Sequence, residues 1–281
     1  MRIALIADSH LSARSPECVA NWRVAARAVE RLAPDLTVHL GDITLDGQTH
    51  AEELGFAARL VQQWPTTMRC VPGNHDLGDG SGEMPLDDRL LGAYADAFGP
   101  DRWALRAGDW LLMGINAQLL GSGSEQELAQ WHWMEGQVSD ASREHAHTAL
   151  FLHRPVLRSP SDEPARPGRY VASVAARRLL EGALQSTLRL VVSGHTHQYL
   201  DVTVRGVRHV WMPSSAFVLP DTVQTRAGEK LVGIGVLDVG GEAAQFDLWC
   251  PDGMARHDLG TLPFFQTMTD GQKKTDPRGS V

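Results

Sequence analysis

Cysteine is scarce. Cys18, Cys70 and Cys250 are the only three in 281 residues, far apart and with no CxxC pair. This excludes a disulfide framework and a thiolate zinc site, and it points to a reducing compartment, so a cytoplasmic location is expected. Long apolar runs are missing too. No stretch approaches the ~18 residues of a membrane-spanning helix, so no membrane association is expected. The first apolar run, in "MRIALIADSH", meets Asp8 too soon for a secretory leader core and reads as a strand. Positive charge is in deficit: 26 Lys and Arg against 34 Asp and Glu give a net charge of -8. That argues against nucleic acid as a partner, because phosphate backbones need cationic contacts. A local basic patch stays open, since net charge is a global figure.

What is present is ordinary for a globular chain: 43% hydrophobic and 21% charged residues, in a length that suits one large α/β domain or two small ones. "RIALIA" reads as a buried strand. Over residues 19–33, Val19, Trp22, Ala26, Val29 and Leu32 recur at helical spacing, and Pro34 stops the helix. "DLTVHL" is a second strand. Thr49 and Glu52 look like a capping box in front of the helical "AEELGFAARLVQQW". "TMRCVP" is a third strand. This alternation predicts parallel crossovers. Residues 77–88 read as a loop, 88–98 as a helix, "DWLLMGIN" as a strand, "EQELAQWHWMEGQV" as a helix and "HTALFLH" as a strand. The stretch 154–169 carries four prolines and reads as a surface loop, followed by a helix over 171–184. Beyond residue 197 the pattern is strands and tight turns, with no helix evident and an antiparallel look. The polar end, 266–281, reads as a disordered tail.

The strand ends carry the chemistry. The first ends in Asp8-Ser9-His10, the second in Gly41-Asp42, the third in Gly73-Asn74-His75-Asp76, a later one in His153, and "VVSGHTHQYL" in His195 and His197. In a parallel sheet these ends share the carboxyl edge, where ligands bind. In extended backbone, His195 and His197 at i and i+2 would share a face. Imidazole, carboxylate and one amide suit borderline divalent ions such as Zn, Mn and Fe. The candidates are too many for one tetrahedral ion and about right for two.

The blocks "DSH", "GD", "GNHD", "H" and "GHTH", in this order, resemble the calcineurin-like metallophosphoesterases, over about residues 1–213. "ADSHLS", "GDITLDG", "PGNHD", "LFLHRP" and "SGHTHQ" are most similar to the bacterial class III cyclic-nucleotide phosphodiesterase branch. The resemblance implies a four-layer αββα sandwich of two mixed sheets flanked by helices, with a dinuclear centre at the sheet edge, in a single domain over 1–265. It implies two divalent or Fe/Mn/Zn-type ions per chain. The first would take Asp8, His10, Asp42 and His197, and the second Asp42, Asn74, His153 and His195, with Asp42 and a hydroxide bridging them. His75 would bind no metal and would face the substrate phosphate as general acid. The implied activity is hydrolysis of a small phosphodiester such as a cyclic nucleotide. A phosphomonoesterase or nuclease on the same scaffold, or a non-catalytic binding scaffold, are the alternatives. One position departs: many relatives carry an acid three residues after the bridging aspartate, where this chain has Leu45 and then Asp46.

The remaining histidines have plainer readings. His39 lies inside a strand and reads as a hydrogen-bonded core residue. His50, His145, His147, His209 and His257 match nothing and read as surface or loop residues. His132 sits between Trp131 and Trp133, which read as packing aromatics. Arg154, Arg158, Arg166 and Arg169 follow His153. They read either as a phosphate clamp or as solvated loop arginines. The strand-rich end leaves an edge for a homo-oligomer.

Overall fold

The computed structural model describes residues 1–79, 86–143, 146–158, 168–182, 184–241 and 243–266. The tail beyond 266, His145, Arg166 and the middles of the loops 77–88 and 154–169 lie outside the described residues.

Two mixed sheets stack on each other. The first contains β1 (Arg2–Ile6), β2 (Leu36–His39), β3 (Met68–Cys70), β11 (Ile234–Gly240) and β12 (Ala243–Trp249), in the order β12-β11-β1-β2-β3. Here β1, β2 and β3 run parallel and β11 is antiparallel to both its neighbours. The second contains β4 (Trp103–Ala107), β5 (Trp110–Gly114), β6 (His147–Leu152), β7 (Leu188–Ser193), β8 (Leu200–Val204) and β9 (Val207–Trp211), in the order β4-β5-β6-β7-β9-β8. The four inner strands are parallel, and β4 and β8 are antiparallel edges.

The period-2 alternation of buried strands builds the layers. Ile3, Leu5 and Ala7 face Leu112, Phe151, Leu190 and Val192 in a core between the sheets. Ala4 and Ile6, pointing the other way, pack with Trp22, Val29 and Ala57 of α1 (Pro16–Leu32) and α2 (Ala51–Gln62). On the far side, Leu150 and Leu152 pack with Met134, Val138 and Leu179 of α5 (Glu125–Arg143) and α6 (Ser173–Glu181). The result is the expected αββα sandwich. α3 (Asn74–Leu77) and α4 (Asp88–Phe98) complete the helices on the first side.

Several local expectations change. α1 ends where Ala33 turns left-handed at φ 48° and its N–H bonds Val29 O at 2.9 Å, one residue before Pro34. α2 has no capping box: His50 is the N-cap, and Thr49 Oγ1 donates to Asp46 O instead. The late half is not purely antiparallel. β9 pairs parallel with β7, and β10 (Phe217–Val218) pairs parallel with β13 (His257–Asp258). Nor is it free of helix, because Leu259–Thr261 form a 3₁₀ turn. β4 carried no recognised signal. Its alternating burial makes it a half-covered edge strand.

His209, expected at the surface, is 3% exposed because β9 lies second from the edge and β8 covers it. His147 is half-buried at the start of β6, its ring edge-on to Trp110. His39 is the core histidine expected. Its Nδ1 accepts from Gly41 N–H, so Nε2 carries the proton and donates to Ser9 Oγ at 2.8 Å. Ser9 and Ser215 continue the chain to Ala7 O. Burial, together with His153, pushes the His39 imidazole down to about 3. Its folded value lies below the ordinary ~6.5, so the stability gained by keeping it neutral is present above pH ~6.5 and lost as pH falls toward 3. In that window His39→Gln should take up about one proton fewer on unfolding, read as a shallower slope of stability against pH. An unchanged slope would contradict this account of His39.

Candidate metal centre

The parallel strands of both sheets deliver their carboxyl ends to one place. Asp8 and His10 follow β1, Asp42 follows β2, Asn74 and His75 open α3 after β3, His153 follows β6, and His195 and His197 follow β7. The two sheets are tied directly at this edge: His195 N–H donates to both carboxylate oxygens of Asp8 at 3.0 Å. His75 N–H donates to Asp42 Oδ1 at 2.8 Å, joining the second and third strand ends.

The local backbone is unusual. Among the described residues, seven non-glycine residues have positive φ, and five of them are Asp8, His10, Asp42, His195 and His197. L-residues rarely adopt this region, and strain of this kind concentrates at functional sites. It corrects the extended-backbone reading of "GHTH". β7 stops at Ser193, and φ of 69° at His195 and 52° at His197 turns the two rings inward. His75 likewise lies in one helical turn, Asn74–Leu77.

Two glycines make room. Gly41 has φ +91°, and a Cβ there would come within 2.7 Å of both Gly73 N and His153 Nδ1. A Cβ on Gly73 would run into the Asp42 carboxylate and its backbone nitrogen. Gly73→Ala is therefore expected to lower metal affinity at least ~10–100-fold, the scale seen when groups supporting a ligand are disturbed. Metal titration by calorimetry measures it, and affinity equal to the unmodified chain would contradict it.

Among the described residues, three groups bring side-chain donor atoms within 4.8 Å of one another: Asp8 with His10 and His197, His10 with Asp42 and His75, and Asp42 with His153 and His195. Asn74 joins through Oδ1, 3.1 Å from His153 Nε2. His153 Nε2 is 3.3 Å from Asp42 Oδ2, and His197 Nε2 is 3.5 Å from Asp8 Oδ1.

The hydrogen bonds on the far ring nitrogens decide what these donors can do. His153 Nδ1 donates to Leu40 O at 2.8 Å and His197 Nδ1 to Phe217 O at 2.9 Å. In the neutral rings both Nε2 atoms then hold lone pairs aimed into the cluster. They meet other ring nitrogens: His10 Nε2 lies 3.2 Å from His197 Nε2, and His195 Nδ1 lies 3.0 Å from His153 Nε2. Among the described residues, His10 Nδ1 is buried with no partner. Ring nitrogens and carboxylate oxygens converge here at distances that suit a shared proton or a cation between them. The donor set of imidazoles, carboxylates and an amide oxygen fits borderline divalent metals.

The electrostatics agree. Burial holds His10 and His195 well below the ordinary imidazole range and His197 at about 4, so these rings stay neutral and ligand-ready. Burial pushes Asp8 well above the carboxylate range. Burial also pushes Asp42 up, but the surrounding imidazoles of His153, His75 and His10 outweigh it and hold Asp42 well below that range. For His153 burial acts downward, yet Asp42 and Asp8 raise it to about 9. Without metal, a proton on His153 Nε2 faces the Asp42 carboxylate at 3.3 Å, and metal binding must displace it.

The family model for calcineurin-like phosphoesterases matches residues 1–199, which include every one of these strand ends. The chain belongs to the calcineurin-like phosphoesterase family. It is similar to 3',5'-cyclic adenosine monophosphate phosphodiesterase CpdA of Escherichia coli K12, 27% identical over 231 residues, covering 76% of each chain. It is also similar to the serine/threonine-protein phosphatase CPPED1 of Pongo abelii, 25% identical over 186 residues, where the match covers 62% of this chain but only 57% of CPPED1. In fold it is similar to a dimetal phosphatase from Danio rerio, with a TM-score of 0.62 and 16% identity, over 88% of this chain and 95% of the other. Family membership makes the chain a metal-dependent phosphoric ester hydrolase, and the clustered His and Asp side chains are its candidate metal-binding groups. Among the described residues, no helix is long and apolar enough to cross a membrane.

A cavity of about 460 Å³ opens over the cluster. His10, Asp42, Asn74, His75, His195 and His197 line its floor. His75 Nδ1 donates to Leu45 O at 2.7 Å. The backbone carbonyl of Leu45, where many relatives carry an acid, thus fixes the His75 ring. Asp46 instead lies 3.7 Å from Arg14 and 3.5 Å from His50. Arg154 also lines the cavity. It is 6% exposed, donates from one terminal nitrogen to Asp79 O, and among the described residues leaves Nε buried without a partner, so it is no solvated loop arginine. Arg158 instead lies over the Tyr170 ring.

Sequence reasoning assigned no role to Asp76. Its buried carboxylate accepts from Ile43 N–H, Thr44 N–H, Thr44 Oγ1 and Gly73 N–H, pinning the Asp42 and Asn74 loops together. The available signal was an acid three residues after Gly73 at the start of a helical turn.

Proposed function

We propose that this chain is a two-metal phosphodiesterase for a small diester such as a cyclic nucleotide, built as one domain over residues 1–265 and working in the cytoplasm. The observation that carries the reading is the convergence of buried ring nitrogens, His195 Nδ1 3.0 Å from His153 Nε2 and His10 Nε2 3.2 Å from His197 Nε2, beside Asp42 and Asp8. We assign Asp8, His10, Asp42 and His197 to one ion and Asp42, Asn74, His153 and His195 to the other, with Asp42 shared. When bound, the ions supply Lewis-acid neutralisation of the phosphoryl oxygens and activation of water near neutral pH.

The chain's own residues do the rest. Leu40 O and Phe217 O lock the His153 and His197 tautomers, so ligand nitrogens need not reorganise. His75 is fixed by Leu45 O through Nδ1, and a proton on its Nε2 is the one available to the departing alkoxide. The unpartnered Nε of Arg154 gives a donor for a non-bridging phosphoryl oxygen. A net charge of -8 argues against long nucleic acid substrates, and the filled ligand positions argue against a non-catalytic scaffold.

The similarity to CPPED1 favours a second reading, a phosphomonoesterase on the same residues. A panel of mono- and diesters with matched alcohols, on metal-reconstituted protein, separates the two. The diesterase reading expects higher kcat/KM on diesters, and preference for monoesters would overturn it.

A further inference from the structure

One side of the cavity is polar and the other is not. The apolar side is made by Leu45 with Phe217, Leu219, Val223, Leu259, Phe264 and Phe265. All of these but Leu45 lie beyond residue 199, outside the segment matched by the family model. The metal-binding floor and most of this wall therefore come from different parts of the chain.

The fold brings them together through the small ribbon. β10 carries Phe217, and its parallel pairing with β13 fixes Phe217 opposite His257. The 3₁₀ turn Leu259–Thr261 follows at once, capped by Asp258, whose side chain accepts from Gly260 N–H at 2.9 Å. Thr261 Oγ1 donates to Asp258 O at 2.8 Å, and Phe265 N–H donates to Leu262 O at 3.1 Å. Leu259, Leu262 and Phe264 then pack with Phe217 and Leu45 in a separate apolar cluster. The Phe217 ring spans the boundary. It stacks on His10 at 4.8 Å and lies 4.9 Å from His197, while Phe264 is 6.1 Å away on its other flank. A molecule whose phosphate sits on the floor has its organic group against this wall.

We propose that the segment Leu259–Phe265, with Phe217, Leu219 and Val223, selects the substrate by its alcohol: esters bearing a flat aromatic group are preferred over those of small polar alcohols such as glycerol. This rests on the phosphoesterase reading above and narrows it. An aromatic group removes apolar surface of the wall from water, while a glyceryl group would give up its own hydration against the same surface. A cavity of about 460 Å³ lies within the range of small-molecule sites and holds such a group beside the phosphate.

Phenylphosphonate and methylphosphonate carry the same anion and differ only in the group offered to the wall. On metal-reconstituted full-length protein, phenylphosphonate should inhibit about 10-fold more tightly. Phe264→Leu and Phe265→Ser should each bring the ratio of inhibition constants toward one, with methylphosphonate shifted less than about 3-fold. Phe265 is half-buried, so its variant keeps the test intact if the more buried Phe264 position disturbs folding. Equal inhibition by the two phosphonates in the unmodified protein, or an unchanged ratio in both variants, would overturn the proposal while leaving the phosphoesterase reading standing. Binding of neither phosphonate would overturn both.

Discussion

Asp42→Ala is expected to release both metal ions and to cut diester turnover by more than about 10³-fold. Among the described residues, Asp42 is the only carboxylate present in two of the three donor groups, one with His10 and His75 and one with His153 and His195. Removing it leaves two cations facing each other with no shared anion. It also deletes the acceptor of His75 N–H, one of the ties between the second and third strand ends, while those to Asp76 remain. Metal analysis by mass spectrometry and turnover of one diester measure both effects. An Asp42→Ala protein that keeps two ions and ordinary turnover would contradict the assignment of Asp42 as the shared ligand.

His75→Ala should separate from every ligand variant. It is expected to keep both ions while losing about 10²–10⁴-fold in rate on a diester with an alkoxide leaving group, the usual contribution of positioned proton transfer. On a nitrophenyl ester the loss should be much smaller, because that group departs without a proton. The expectation rests on the Nδ1–H bond to Leu45 O and on the place of His75 in the cavity wall. His75 also lies close enough to His10 and Asp42 to serve as a ligand. Metal content of the variant therefore decides: loss of an ion assigns His75 to the ligands, and equal rate losses on both esters remove it from proton transfer.

The first strands and the strand-end blocks were legible in the sequence because their signals are local: "RIALIA" is a continuous apolar run, and the blocks are short strings with fixed order. The stacking of two sheets came from the resemblance those blocks carry, not from any periodicity. What the sequence hid depends on partners far along the chain. The left-handed turn at His195 is held by the Asp8 carboxylate, 187 positions away, so no neighbouring residue announces it. His209 matches no motif and reads as a surface residue. It is buried on β9, an inner strand between β7 and β8, a position no periodicity specifies. Arg154 sits in a proline-rich stretch that reads as solvent-facing, yet the backbone carbonyl of Asp79 draws it over the site. The apolar wall was invisible for another reason. β10 and β13 have two residues each, too few to show a period, and the sequence between them gives no sign that they meet.

If two metal ions share Asp42 and act together on a diester, turnover must follow the second ion. To test this, the protein is stripped of metal and hydrolysis of a cyclic nucleotide is followed as Mn²⁺ is returned in known equivalents. Negligible turnover is expected without metal, little at one equivalent, and a plateau at two equivalents per chain. A plateau at one equivalent, or full turnover by the stripped protein, would contradict it.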